Sequence, residues 1–239
     1  MLMAAYPDDG VLRALAAENN LSETAFLVPD GDDFQIRWFT PTVEVPLCGH
    51  ATLAAAAVVL ERLEPSRNGV VFRSASGPLT VSRANAGGYR MDFPARRCEA
   101  AAGSQGLAAA IGAAPREVAW DGFNFIARLD DAAAVRGLAP DLVAVAALPC
   151  VGVVVTAEGE APFDFVSRYF APAKGIPEDP VTGGAHCALT PFWSARLGRT
   201  EFRAMQVSPR RGELTCRLKG ERVELEGACV FYLEGEAQW

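Results

Sequence analysis

Two short motifs hold the residues of this chain that are best suited to chemistry. The first is Cys48-Gly49-His50, and the second runs from Glu178-Asp179 to His186. They contain the only two histidines among 239 residues. An imidazole titrates near pH 6.5, and a thiol and a carboxylate are further groups that exchange protons. These residue types predict a site for proton transfer or for binding an anion.

The two motifs belong to a repeat. The segment Arg-Trp-Phe-Thr-Pro at 37–41 reappears as Arg-Tyr-Phe-Ala-Pro at 168–172, and the same offset aligns Cys48 with Asp179. Each copy runs into a glycine-containing loop and then an apolar segment. The sequence therefore predicts two structurally equivalent halves whose loops face one shared cleft.

Each loop should lead into the start of a helix. Unpaired N–H groups and a partial positive charge at such a start attract carboxylates or phosphates. Gly49, Gly183 and Gly184 would let a ligand approach the backbone closely. Arg37 and Arg168 are expected to pair with carboxylates, although either could reach an anionic ligand.

The residues alone leave a second interpretation open for each candidate. Cys48 could be a small packed side chain, and His50 could cap a helix or bond a carbonyl. Asp179 suits a helix N-cap, His186 suits the core, and Glu23 could be a solvated carboxylate in a turn.

The elements that must position these residues follow from apolar periodicity and turn residues. In the first half, a helix with Asp9 as N-cap ends at Asn19-Asn20, and an apolar helix at 51–60 should be enclosed by its sheet. Its strands are expected at 24–28, 34–39, 70–73, 79–83 and 89–93.

The second half repeats this plan. Ser104 is expected to cap a helix that ends near Gly112, and Pro191 should kink the apolar helix at 185–197 or mark a late start. Strands are expected at 117–120, 123–128, 151–156, 163–170, 202–207, 213–219, 222–226 and 228–233.

These elements predict an α+β fold of two domains, residues 1–95 and 96–239. Each is a mostly antiparallel sheet around a central apolar helix, and the repeated loops face the cleft between them. Only residues 1–36 precede the repeated motif in the first half, whereas residues 96–167 precede it in the second. The first half is therefore expected to lack an opening strand.

Composition narrows the possible partners. A net charge of −7 without a Lys/Arg run argues against nucleic acid, and the apolar stretch at 53–60 is too short for a membrane span. The six cysteines form no C-x-x-C pair, which suits reduced thiols in the cytoplasm and not a structural zinc. No cofactor-binding or metal-binding motif is present, so we expect neither group.

Three ordered strings resemble the PhzF-like family of phenazine biosynthesis, which has the diaminopimelate-epimerase-like fold. They are Asn-Leu-Ser-Glu-Thr-Ala-Phe at 20–26, Cys-Gly-His-Ala-Thr-Leu at 48–53, and Glu-Asp-Pro-Val-Thr-Gly-Gly-Ala-His at 178–186. Met-Asp-Phe-Pro at 91–94 and the closing strands also fit the family. This resemblance implies two pseudo-symmetric domains, each a barrel-like sheet around its central helix, with the active site in the cleft between them. It also implies an isomerase that needs no cofactor, acts on a small carboxylate and forms a homodimer.

The resemblance also implies roles for individual residues. Glu23 would be the general acid/base that moves a proton between carbons, with a pKa that burial could raise towards neutrality. His50 and Asp179 would bind and orient the substrate. The remaining substrate-binding positions are Cys48, Gly49, Thr182, Gly183 and Gly184.

Two departures from the family pattern keep other functions open. Gly184 stands where the family usually has serine, and residues 1–8 lack the family's opening Gly-Asn-Pro-Ala-type segment. A relative that only binds a small anion is therefore an alternative. A hydrolase using Cys48 and His50 is another, although no third group is evident to orient them.

Overall fold

The computed structural model describes residues 1–85 and 87–238. Its helices are α1 (Asp9–Asn19), α2 (Gly49–Val58), α3 (Leu107–Ile111), α4 (Ala132–Gly137), α5 (Leu142–Ala146) and α6 (Gly183–Leu197). A π-helical turn, Val59–Leu63, extends α2. None of the described helices has the length and apolar composition needed to cross a bilayer.

Within the described residues, the first half of the chain contains six strands and the second half nine. In the first half they are β1 (Thr24–Asp30), β2 (Asp33–Phe39), β3 (Glu44–Val45), β4 (Gly69–Ser74), β5 (Gly77–Arg83) and β6 (Tyr89–Pro94). In the second half they are β7 (Glu99–Ala100), β8 (Glu117–Trp120), β9 (Asn124–Arg128), β10 (Gly152–Glu158), β11 (Phe165–Ala171), β12 (Ile176–Asp179), β13 (Glu201–Gln206), β14 (Gly212–Lys219) and β15 (Arg222–Gly227).

All these strands join in one 15-stranded sheet, mostly antiparallel as predicted. Its main order is β1-β2-β4-β5-β6-β15-β14-β13-β11-β10-β9-β8-β7, while β3 pairs with β2 and β12 with β11. The pairs β2–β4, β9–β10 and β11–β13 are parallel. The central link is between β6 and β15, where Arg222 lies opposite Pro94 and Gly227 opposite Tyr89. The last strand of the chain thus joins the first half to the second.

The two apolar helices pack inside this sheet. Helix α2 contacts β1, β4, β5 and β6, and α6 contacts β14 and β15. Trp193 of α6 is fully buried and stacks on Phe165 of β11, with ring centroids 5.9 Å apart. The enclosure of α2 is less complete than predicted, because Ala54 and Val58 are exposed.

Helix α6 runs without a break through Pro191, so the predicted late start is wrong. Proline has no N–H, which leaves the carbonyl of Cys187, four residues earlier, without its helical partner. The backbone N–H of Arg96 donates to that carbonyl over 2.9 Å. The segment after β6 therefore satisfies the group that the proline releases.

Several predicted helix ends need correction. Asp8, not Asp9, precedes α1, and its side chain makes no capping bond. Helix α3 begins after Gly106, and Ser104 contributes only its carbonyl, which accepts from the N–H of Leu107. The left-handed conformation of Asn20 at the end of α1 confirms the predicted stop.

The strand expected at 228–233 is absent, and this prediction is wrong. β15 already pairs with β6 on one side and with β14 on the other, so the next segment has no free strand edge beside it. Val230 and Tyr232 are exposed there. At the far end of the sheet, β1 is the outer strand, and beside it Met3 donates to the carbonyl of Leu27 over 2.9 Å.

Candidate active site

The predicted catalytic residues come from three separate elements. Glu23 immediately precedes β1, His50 is the second residue of α2, and Asp179 ends β12. Cys48 is extended before α2, with φ −139° and ψ 108°. The side chains of Glu23 and Asp179 are 8% and 6% exposed, whereas that of His50 is 25% exposed. The two carboxyl groups are thus buried, and the imidazole is the part of the group that solvent reaches.

The imidazole of His50 lies between the two carboxyl groups. Its Nε2 is 3.2 Å from Oε2 of Glu23, and its Nδ1 is 4.0 Å from Oδ1 of Asp179. The hydroxyl of Ser22 is 3.3 Å from Nε2, and the sulfur of Cys48 is 3.7 Å from Nδ1. The fold therefore brings together Glu23, His50, Asp179 and Cys48, as the sequence predicted.

Two oxygen atoms of this group lack a hydrogen bond. Oε2 of Glu23 and Oδ1 of Asp179 are buried without a partner among the described residues. The 3.2 Å contact between Glu23 and His50 is close enough for an ion pair, but it is not aligned as a hydrogen bond. A buried acceptor without a partner costs free energy, so such atoms commonly mark a place where a ligand bonds.

Glu23 and His50 shift each other's proton affinity. Burial alone would raise the pKa of Glu23, but the contact with His50 and its charge outweigh burial and hold that pKa below its usual range. Burial likewise opposes a charge on His50. The neighbouring Cys48 and the carboxylates of Glu23 and Asp179 outweigh it and raise the pKa of His50. The expected rise in the pKa of Glu23 is therefore wrong, because an imidazolium lies beside this carboxylate.

The raised carboxyl pKa belongs to Asp179 instead. Burial is its largest cause, and the Glu23 carboxylate adds to it, so the pKa of Asp179 is about 6 despite the opposing charge of His50. Burial also raises the pKa of the Cys48 thiol. At neutral pH the site thus contains an ionised Glu23 carboxylate and a protonated Cys48 thiol. The Asp179 carboxyl titrates about one pH unit below neutrality.

The starts of α2 and α6 touch at two glycines. A Cβ atom on Gly49 would lie 3.3 Å from the Cα of Gly183, and one on Gly183 would lie 3.4 Å from the Cα of Gly49. Any side chain at either position would crowd the facing backbone. The free N–H groups of both helices therefore converge, as the repeat predicted.

A hydrogen-bond network fixes the start of α6 against Asp179. The hydroxyl of Thr182 donates to Oδ2 of Asp179 over 2.5 Å, and the N–H of Thr182 donates to Oε1 of Gln206 over 2.8 Å. Nε2 of Gln206 donates to the backbone carbonyl of Asp179 over 2.7 Å. Thr182 is the residue before α6, so Asp179 is not its N-cap.

Sequence reasoning missed two members of this site. Gln206 comes from β13, and no motif or spacing connects it with Asp179. Ser22 is different, because it directly precedes Glu23 and places a hydroxyl 3.3 Å from His50. Its position in the first motif string was a signal that could have identified it.

A cavity of about 430 Å³ reaches the site from the His50 side. Gly49, His50 and Gly183 line it, but Glu23 and Asp179 do not. Apolar side chains from α2, β6, β14, β15 and the loop before α6 contribute to its wall; they include Leu53, Met91, Phe93, Val181, Leu214 and Leu225. Such walls suit a ligand with an apolar body.

The other candidate residues have structural partners. Arg37 pairs with Glu44 at 2.7 Å, and Arg168 pairs with Glu178 at 2.7 Å, as expected for the repeated arginines. His186 is fully buried, and its Nδ1 lies 2.8 Å from the carbonyl of Thr182. Burial lowers its pKa to about 4, so His186 is a neutral core residue that bonds the start of its own helix.

Glu23, Cys48 and His50 form the one group among the described residues with three metal-ligand side chains close together. Their ligand atoms lie within 4.8 Å of one another. A metal binds a thiolate and a neutral imidazole. Burial keeps the Cys48 thiol protonated, and the carboxylates favour a charged His50. The protonation of this group suits proton transfer better than metal binding.

Two solved structures place the fold in a known class. A PhzF-family protein of Enterococcus faecalis matches with a TM-score of 0.92 and 41% identity, over 100% of this chain and 91% of that chain. A probable proline racemase of Agrobacterium radiobacter has 14% identity and a TM-score of 0.58, over 96% of this chain and 82% of that chain. The likeness to the second protein concerns the fold alone. The chain therefore has the diaminopimelate-epimerase-like fold, as the resemblance of its motif strings implied.

Comparison of sequences narrows this class to a family. The model of the family described as "Phenazine biosynthesis-like protein" matches residues 2–235. An uncharacterized isomerase of Pseudomonas aeruginosa is 47% identical over 231 residues, which cover 97% of this chain and 88% of that protein. The chain belongs to the phenazine biosynthesis-like, or PhzF, family, and it is an isomerase.

Proposed function

We propose that this isomerase moves a proton between carbons of a small carboxylate by general acid/base catalysis. The observation that carries the proposal is the pair of unpartnered, buried oxygens, Oε2 of Glu23 and Oδ1 of Asp179, on either side of His50. One carboxyl group is poised to accept a proton and the other to share one. A substrate that contacts both carboxyl groups beside His50 would supply the partners that these oxygens lack among the described residues.

Binding precedes the chemistry. The converging starts of α2 and α6 offer N–H groups and partial positive charge to the carboxylate of the substrate. Gly49 and Gly183 leave the backbone bare at that point. The apolar cavity beside His50 would hold the rest of the molecule. A carboxylate held in this way makes the neighbouring C–H more acidic, because positive charge stabilises the carbanion as it forms.

Glu23 is the proton acceptor in this scheme. Its lowered pKa keeps it ionised at neutral pH, so it can take a proton from carbon and return it to another carbon of the same substrate. Asp179 and His50 orient the substrate and stabilise the charge that develops. With a pKa of about 6, Asp179 is partly protonated near neutrality and can donate a hydrogen bond to a developing oxyanion.

The proposal needs neither a cofactor nor a metal. Proton transfer between carbons leaves the oxidation state of the substrate as a whole unchanged, so no electron acceptor is required. We expect the activity to survive extensive dialysis against EDTA. Activity that disappears with EDTA and returns with Zn²⁺ would show that Glu23, Cys48 and His50 hold a metal after all.

A panel of unsaturated and amino-acid-like carboxylates in D₂O tests the proposed reaction. The wild-type protein should introduce deuterium at a carbon of its substrate, as detected by mass spectrometry and NMR. Thermal unfolding with the same panel gives an independent measure of binding. Stabilisation without deuterium incorporation would identify a relative that binds small anions without turnover.

The thiol hydrolase is less well supported by the geometry. Cys48 is buried, and the raised pKa of its thiol opposes the thiolate that a nucleophile requires. We expect iodoacetamide to leave Cys48 unmodified in the folded protein.

We also propose a cytoplasmic homodimer, and sedimentation at several protein concentrations tests the oligomeric state.

A further inference from the structure

Arg96 lies beside the first turn of α6. A Cβ atom on Gly184 would be 3.6 Å from Nη2 of Arg96 and 3.8 Å from Nη1. These are ordinary contact distances, so the guanidinium borders the space that a side chain at position 184 would fill. Because Gly184 has none, no side chain at this position lies between the guanidinium and the first turn of α6.

Three contacts hold Arg96 in this place. Its backbone N–H donates to the carbonyl of Cys187 that Pro191 leaves free, over 2.9 Å. Its Nη1 lies 3.6 Å from the buried carboxylate of Asp121, and its guanidinium lies 4.9 Å from the ring centre of Phe123. The backbone contact ties Arg96 to α6 itself, and the other two fix the direction of its side chain.

The side-chain N–H groups of Arg96 have no hydrogen-bond acceptor among the described residues. Asp121 already accepts from the N–H groups of Phe123 and Asn124 and from the side-chain amide of Asn124. Within the described residues, the Arg96 side chain donates no hydrogen bond, although it is only 28% exposed. Arg168, by contrast, donates to Glu178 and to the carbonyl of Leu138. A guanidinium that is held in place and partly buried, and whose N–H groups have no hydrogen-bond acceptor among the described residues, is suited to a planar anion.

A second observation marks the start of α6 as a ligand site. Oδ1 of Asp179 is buried without a partner among the described residues, and Oδ2 of the same carboxyl accepts from Thr182, the residue before α6. Asp179 is 4% exposed. The residue that carries this unsatisfied oxygen is thus bonded to the start of α6, and Arg96 borders the first turn of the same helix at Gly184.

We propose that Arg96 is a substrate-binding residue which, together with the first turn of α6, binds a carboxylate of the substrate. The inference rests on the proposed function in taking the substrate to be an acid. It adds that the acid group forms a charge-assisted contact with Arg96, so that the protein selects acids over their neutral amides. Gly184 contributes by leaving the guanidinium uncovered.

The test compares the binding of acids with that of their amides, using Arg96→Gln and Arg96→Lys. Calorimetry with benzoate and benzamide, and with crotonate and crotonamide, measures the preference for the charged ligand. We expect the wild type to bind at least one acid tenfold or more tightly than its amide. Arg96→Gln should remove most of this preference, and Arg96→Lys should retain part of it because the charge remains.

Arg97→Gln is the matched control. Arg97 is the neighbouring arginine, is 75% exposed and pairs with Glu221 on the surface, so its loss should not alter the preference. Unfolding temperatures of all variants show whether each remains folded, and Arg96→Lys keeps the charge beside Asp121 if Arg96→Gln is unstable.

Two results would overturn the inference about Arg96. One is a wild type that binds no acid more tightly than its amide. The other is a folded Arg96 variant that keeps the full preference. Both results come from binding measurements and do not depend on turnover. Failure of the wild type to incorporate deuterium would count against the proposed reaction and not against the role of Arg96.

Discussion

At the residue scale, the environment shifts the pKa values of two neighbouring carboxyl groups in opposite directions. Glu23 and Asp179 are both buried, but the charge of His50 acts differently on each. Nε2 is 3.2 Å from Glu23, whereas Nδ1 is 4.0 Å from Asp179. The charge of His50 lowers the pKa of the closer carboxyl group, Glu23. Burial has the larger effect on the more distant one, Asp179, and raises its pKa. Such a difference between neighbouring carboxyl groups is typical of acid/base sites.

The raised pKa of Asp179 predicts how stability depends on pH. Its value of about 6 in the folded protein lies above the usual value of about 3.9 for an unfolded chain. The folded state thus binds this proton more tightly, and the stabilisation is lost as the pH rises through 6. Between about pH 4 and 7.5, Asp179 should lower the free energy of unfolding by about 2 kcal/mol.

Asp179→Asn should remove that part of the pH dependence. Urea unfolding of the wild type and the variant across this range gives the difference directly. The variant should gain stability relative to the wild type as the pH rises. A difference that is constant with pH would contradict the raised pKa.

Local sequence could identify candidates at this scale, but it could not assign their protonation. Motif strings located Glu23, His50, Asp179 and Cys48. Their pKa shifts depend on distances between side chains from separate parts of the chain, and spacing along the sequence does not contain these distances. For the same reason, nothing in the sequence connected Gln206 with Asp179 or Arg96 with Gly184.

At the element scale, the contact between two helix starts is the main constraint on the site. Gly49→Ala would place a Cβ atom 3.3 Å from the Cα of Gly183, so the starts of α2 and α6 would have to move apart. We expect a loss of about 1–3 kcal/mol of stability, as is usual when atoms are forced into a packed region. Binding of carboxylates should weaken at least tenfold.

Gly10→Ala is the control for this substitution. Gly10 lies in α1, and a Cβ atom there would meet nothing within 4 Å. It should leave binding unchanged and raise stability slightly, because alanine favours a helix over glycine. Equal effects of the two substitutions on binding would show that the contact between the helix starts does not shape the site.

The helices and strands were predictable where apolar periodicity was strong. The strands of the first half and both apolar helices lie close to their expected positions. Helices α4 and α5 were missed because each is shorter than two turns, although Asp131 and Asp141 cap them. The strand expected at 228–233 had a suitable composition, but it lacked a free neighbour in the sheet.

At the scale of the whole molecule, the last strand of the chain joins the two halves in the middle of the sheet. β15 bonds to β6 of the first half and to β14 of the second. The sequence predicted the number and type of most strands. It could not predict that 89–94 would pair with 222–227, because that register depends on contacts between distant segments.

This link predicts that the whole chain unfolds in one transition. Val223 of β15 is fully buried. Val223→Ala should lower the free energy of unfolding by about 2 kcal/mol, from two lost methyl groups and the space they leave. Urea unfolding, followed by tryptophan fluorescence and by far-UV circular dichroism, should give one shared midpoint that shifts downward. Two separated midpoints would show that the halves unfold independently.

The central claim is that Glu23 moves the proton. Its most direct test is the rate of deuterium incorporation from D₂O into the substrate by wild type, Glu23→Gln and Glu18→Gln. Glu18 is an exposed residue of α1 and serves as the control. We predict that Glu23→Gln lowers this rate by about 10²–10⁴-fold while the protein stays folded and still binds carboxylates, and that Glu18→Gln has no effect. Incorporation at the wild-type rate in folded Glu23→Gln would contradict the account.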